Sequence, residues 1–136
     1  MRTISKGDVE GGFGRIQPGR HLCCIAAVKV KKSRRGQEMW ELTLALDSDP
    51  TRRACWDNVM MEGKGRGIAL KKLKEIGAAR ELEDSWEVDE PGEIQGKRVW
   101  VTFVLGKSTT GKDRLEPDFN SPGFGYEHYS GTEAPF

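Results

Sequence analysis

CCIAAVKVKKSRRGQEMWELTLAL, residues Cys23 to Leu46, decides how the chain is read. Leu22, Cys24, Ala26, Val28 and Val30 alternate with Cys23, Ile25, Ala27, Lys29 and Lys31. Further on, Trp40, Leu42, Leu44 and Leu46 alternate with Met39, Glu41, Thr43 and Ala45. Successive side chains of a strand point to opposite faces, so period-two alternation on both sides of a Gly-containing polar break predicts an antiparallel hairpin with one buried face. The break, Lys31-Lys32-Ser33-Arg34-Arg35-Gly36, is cationic and contains no acid. A long hairpin with such a tip is suited to gripping a phosphate backbone.

Outward from this hairpin, 136 residues suffice for one domain with a real core. Apolar content of 36% beside charged content of 32% suits a thin-walled β-rich domain better than a large α/β enzyme. The net charge of +1 conceals segregation. Lys29 to Arg35 and Lys64 to Lys74 hold bases without acids, whereas Arg80 to Glu93 holds Glu81, Glu83, Asp84, Glu87, Asp89, Glu90 and Glu93 against Arg80. Such segregation makes local fields that the average does not report.

Three cysteines, two of them adjacent, fit neither a disulfide scaffold nor zinc spacing. Buried thiols in a reducing compartment are expected, and no metal or other cofactor. The start has no apolar run that would serve as a signal peptide or membrane span, so a cytoplasmic location is expected.

Residues 1–17 are Gly-rich and aperiodic and are expected to form a flexible arm; Pro18-Gly19 turns into the first strand of a domain over 18–119. Arg52 to Met60 reads as a third strand whose face is ambiguous between Cys55 and Trp56. Over Gly67 to Ile76, Ala69, Leu70, Leu73 and Ile76 share one helical face, with Lys71, Lys72 and Lys74 off it, and Gly77 ends the helix. The acidic segment that follows reads as a loop or short irregular helix. Lys97 to Leu105 alternates as strand four, Lys112 to Phe119 is a shorter strand five, and residues 120–136 read as a flexible tail. Three strands, a helix and two strands make an all-β domain with one helix. The arrangement predicted is a five-stranded antiparallel OB-fold Greek-key barrel, with its helix between strands three and four. An open α+β sheet has the same element order.

The segments PGRHLCCIAAVKVKKSRRGQEMWELTLAL, CWDNV, the Lys/Arg-rich helix ending in Ile76-Gly77, and Glu93-Ile94-Gln95-Gly96-Lys97 give the chain a family likeness. Between about Arg15 and Phe119 it resembles the phage-encoded OB-fold single-stranded-DNA-binding proteins. The resemblance implies an OB barrel that coats single strands during phage replication or recombination, in the host cytoplasm.

Candidate contacts follow from charge and parity. Lys29, Lys31, Lys32, Arg34 and Arg35 would overhang the binding groove of such a barrel and follow a flexible backbone; the bland reading is a solvated turn. Lys64 and Arg66 stand in a glycine loop before the helix, whose N-terminus favours anions, or in a mere connector. Gly106 to Asp113 nearly matches an NTPase phosphate loop. Asp113 replaces the magnesium-binding hydroxyl and no helix follows, so a hairpin turn placing Lys107, Lys112 and Arg114 beside the groove is the better account.

Trp100 has the parity opposite to Val99, Val101 and Phe103 and should face outward, to stack on a base or to lie under another element or subunit. Trp56 is a second candidate for stacking. No catalytic set is visible, and an enzyme is not expected. The tail closes on Pro135-Phe136, an ending resembling that of bacterial single-stranded-DNA-binding proteins, so Phe136 is a candidate contact for a replication or recombination protein. The partner expected first is single-stranded DNA; homo-oligomerisation is compatible with the pattern. RNA as ligand, a protein-interaction module using the basic hairpin, and a nuclease or nuclease accessory with metal in the acidic loop are the rivals.

Overall fold

In the computed structural model, which describes residues 16–107 and 113–131, the hairpin is formed by β1 (Gly19–Lys32) and β2 (Glu38–Leu46). Ser33 organises its turn. The Ser33 carbonyl accepts from the Gly36 amide at 2.9 Å, and its hydroxyl accepts from the Arg35 and Gln37 amides. Gly36 closes the turn at φ +79°, a conformation that a Cβ would strain.

Alternation along β1 is broken once. Ile25 pairs with Leu44 and Ala27 with Thr43, which leaves Ala26 as an extra residue. Such a bulge shifts parity and raises local twist. Before it, Cys23 and Ile25 face the core; after it, Val28 does, so uninterrupted alternation is corrected here. A second bulge lies in β3 (Asp49–Met60), where Cys55 pairs with Leu44 but Arg53 with Ala45, leaving Ala54 extra. Cys55 and Val59 pack with the core while Trp56 is exposed, which resolves the face of this strand.

The helix α1 (Arg66–Ile76) follows β3 after a 3-10 turn over Gly63–Gly65. Ala69, Leu73 and Ile76 join the core as the pattern predicts, and Gly77 ends the helix at φ +87°. Lys72 departs from the pattern: it is buried at 8% exposure. Its flank of the helix is covered by β3, and its ammonium donates to the Asp57 carboxylate at 2.9 Å.

The acidic segment holds the short helix expected of it, but its first half is a paired hairpin rather than a loop. It forms a small hairpin, β4 (Ala79–Glu81) with β5 (Trp86–Val88), and then one helical turn, α2 (Pro91–Ile94). Glu81, Glu87 and Asp89 have internal partners. Arg80 donates to Glu87 at 2.7 Å and to Asp89 at 2.6 Å, which holds the Asp89 carboxyl below its usual range. Ile94 is carried into the core, and the Ile25 and Gly96 amides bond across to the Lys97 and Ile25 carbonyls.

Next come β6 (Arg98–Lys107), β7 (Asp113–Pro117) and β8 (Tyr126–His128). The main sheet runs β3-β2-β1-β6-β7. Along the second edge of β6, β8 pairs with Val99–Val101 and β7 with Phe103–Lys107. The fold is mostly β with one substantial helix, and its antiparallel sheet curls into a half-barrel of OB-like form. Among the described residues no strand pairing joins β3 to β7, although the two approach each other across the seam.

Five strands do not account for this chain, since β4, β5 and β8 are additional. The tail expected from residue 120 is built into the fold as far as β8: Tyr126 is fully buried, and its hydroxyl donates to Asp57 at 2.6 Å. A lone tyrosine in a Gly/Pro-rich stretch has no periodicity, so its burial escapes pattern reading. The N-terminal arm lies outside the described residues apart from Ile16 and Gln17.

Candidate nucleic-acid interface

Strand register composes the outer face of the meander. Residues directly opposite in an antiparallel pair share a face, so three cross-strand rows form. Ala27, Thr43 and Trp56 make one; Lys29, Glu41 and Asn58 the next; Lys31, Met39 and Met60 the third, nearest the hairpin tip. Lys31 donates to Glu41 at 2.6 Å and is partly neutralised. Lys29, Lys32, Arg34 and Arg35 are exposed and have no ion-pair partner among the described residues.

Trp56 is 52% exposed, and the Arg53 guanidinium lies 3.8 Å from its ring centroid. Residues three apart in a regular strand point to opposite faces; the extra Ala54 lets this arginine reach the ring. Sequence reasoning missed Arg53 because a bulge leaves no mark in the alternation of so short a stretch.

The glycine loop before α1 is tightly seated against the same end of the sheet. A Cβ on Gly63 would lie 2.6 Å from Gln37 Nε2, and one on Gly65 would lie 2.8 Å from Met60 Cβ. Gln37 belongs to the hairpin turn, so Lys64 and Arg66, both exposed, stand near the tip of that hairpin. Lys74 pairs with Glu81 at 3.8 Å and Lys72 with Asp57, which leaves these helix cations internally engaged.

Between β3 and β7 the seam opens into a groove of about 670 Å³. Arg53, Trp56 and Asn58 form its β3 wall, and Arg114, Phe119 and Phe124 lie on the far wall. Arg114 is exposed and 3.6 Å from Glu116. Asp57 with Lys72 lines the groove as well. Burial, followed by the charge of Asp57, holds the Tyr126 hydroxyl well above its ordinary range. Burial likewise pushes the Cys55 thiol up to about 12.

Trp100 faces away from the core as parity predicts, but it is 4% exposed. Arg20 lies 3.8 Å over its ring, held by an ion pair with Glu127 of β8, and Tyr129 meets it edge-on. The structure therefore separates Trp100 from the open face that carries Trp56. Lys107 ends β6 opposite Asp113, and β7 follows as a strand where a phosphate loop would need a helix. The Lys107 side chain, Lys112 and Phe136 lie outside the described residues.

The histidines have structural partners. His21 Nε2 is 2.6 Å from the Gln17 carbonyl, and the His128 amide donates to Glu75. Among the described residues no group of three or more His, Cys, Asp or Glu side chains could hold a metal ion, and no helix is long and apolar enough to cross a membrane. Neither protein-family models nor curated proteins match the sequence.

Proposed function

We propose that this chain is a phage-type OB-fold protein that binds single-stranded DNA with little sequence preference, during DNA replication or recombination in the host cytoplasm. In this reading β1, β2, β3, β6 and β7 are the strands of a five-stranded Greek-key barrel, with α1 between the third and fourth. OB folds bind oligonucleotides on the face of their second and third strands, between the loop joining strands one and two and that joining strands four and five. The observation that carries the proposal is Trp56, half-exposed on that face with Arg53 against its ring, in line with a cationic hairpin. A ring of this kind stacks on any base, and the cations neutralise phosphates without reading sequence.

The test is a titration of labelled single-stranded DNA, duplex DNA and RNA at several salt concentrations. Single-stranded DNA should bind best and weaken steeply as salt rises. Arg34→Ala with Arg35→Ala should weaken all single-stranded sequences alike and flatten the log–log salt slope by about 0.7 for each lost phosphate contact. An unchanged slope would remove the hairpin tip from the interface; a preference for duplex or RNA would overturn the function itself.

A further inference from the structure

Phe119 is 56% exposed at the lip of the β3–β7 groove, with its ring 5.0 Å from that of Phe124. The backbone works to keep it there. Phe124 is the one non-glycine residue at positive φ among the described residues, at +57°, a conformation that bulky side chains rarely adopt. It is flanked by Gly123 at φ +66° and Gly125 at φ +92°, and a Cβ on Gly125 would meet the Asp118 amide nitrogen at 2.7 Å.

Asp118 pins the start of this turn. Its amide donates to the Thr102 carbonyl at 2.8 Å, and its carboxylate accepts from the Asn120 amide and the Ser121 hydroxyl. Tyr126, bonded to Asp57, pins the end. A strained residue persists only where its surroundings over-determine it, and such residues cluster at ligand sites. Here the result of the strain is one phenylalanine packed beneath another that stays open to the groove.

We propose that the groove receives a single unpaired nucleobase of the bound strand, stacked on Phe119. The inference rests on the reading of the chain as a single-stranded-DNA-binding protein and extends it to a second base-contact point, on a different element from Trp56. About 670 Å³ falls within the range of small-ligand sites. The groove offers an aromatic face, Asn58 for a base edge, and Arg53 and Arg114 for flanking phosphates, Arg114 exchanging Glu116 for phosphate; of the other carboxylates on its walls, Glu41 is paired with Lys31 and Asp57 with Lys72.

The experiment compares a dT oligonucleotide with an abasic phosphate chain of equal length. Wild-type protein should prefer dT. Phe119→Ala should narrow that preference about tenfold, through loss of dT affinity alone. Phe119→Tyr should keep it. Phe119→Leu preserves apolar bulk over Phe124 and should narrow the preference like alanine, which separates stacking from integrity of the turn.

An unchanged ratio of dT to abasic affinity in both Phe119→Ala and Phe119→Leu overturns the inference. If Trp56→Ala narrows the ratio while the Phe119 variants do not, the single-stranded-DNA reading stands and Phe119 is not a base contact. If wild-type protein binds neither chain, both readings fall together.

Discussion

Trp56 on β3 and Trp100 on β6 both point away from the core of the same curled sheet, and both have an arginine 3.8 Å from the ring centroid. One is 52% exposed and the other 4%. The difference comes from what the chain lays over them. Beside Trp100, β8 pairs with β6, supplies Glu127 to hold Arg20, and leads into Tyr129. Beside Trp56 the sheet ends at a seam and a groove. An outward side chain is thus a binding surface only where no later segment returns to cover it. The arginine belongs to a lid in one place and to an open face in the other.

The largest effect that could break this comparison is on stability. Trp100→Ala removes a buried indole and should cost about 3–5 kcal/mol in urea denaturation. Trp56→Ala should cost less than about 1 kcal/mol, as for other exposed positions. Equal losses would erase the distinction between lid and open face.

Binding should show the reverse ranking. Trp56→Ala is expected to lower affinity for single-stranded DNA by about 1–3 kcal/mol, the range for a lost stack, measured by fluorescence anisotropy. Trp100→Ala, assayed where it remains folded, should bind as wild type. A binding loss confined to Trp100→Ala would mean that the lid opens onto DNA.

The smallest expected effect is a pH dependence that sharpens the role of β8. The folded-state pKa values of Cys23, Cys55 and Tyr126 are raised, chiefly by burial, above ordinary values of 9.0 for the thiols and 10.0 for the phenol. A group with a raised pKa stays protonated in the fold after the unfolded chain has begun to lose its proton. Its contribution is complete below the ordinary value and declines as pH rises through the window up to the folded value. The urea midpoint should therefore fall from about pH 9 upward. Tyr126→Phe should lessen the additional decline above about pH 10 while costing stability at neutral pH, because Asp57 loses a donor. An identical alkaline profile in the variant would show that Tyr126 is not sealed from water.

The sequence made the hairpin legible because Trp40, Leu42 and Leu44 keep strict alternation, and it made the helix legible because Ala69, Leu73 and Ile76 keep its spacing. The bulges at Ala26 and Ala54 were not legible. Each inserts one residue into a strand of ordinary composition, and its position is set by how the sheet must curl. Helical spacing places Lys72 off the apolar face, and its burial escapes the pattern because the partner that permits it, Asp57, lies on another element. Of the candidate site, cationic runs and strand parity located the hairpin tip and placed Trp100 outside the core. Pairings between distant segments decided the rest: β8 over Trp100, Arg53 over Trp56, and Phe119 with Phe124 at the groove.

One feature of the seam bears on how the molecule comes into being. Asp57 takes its hydrogen bonds from Lys72, 15 residues on, and from Tyr126, 69 residues on. Contacts of such long sequence separation form late, after the entropy of closing the intervening loop has been met. A ribosome that has delivered everything up to β7 has made a sheet whose core still lacks the Tyr126 ring. Until β8 docks, the partly folded chain keeps apolar surface exposed, which makes the state with β1 to β7 in place and Tyr126 still outside the one most open to aggregation.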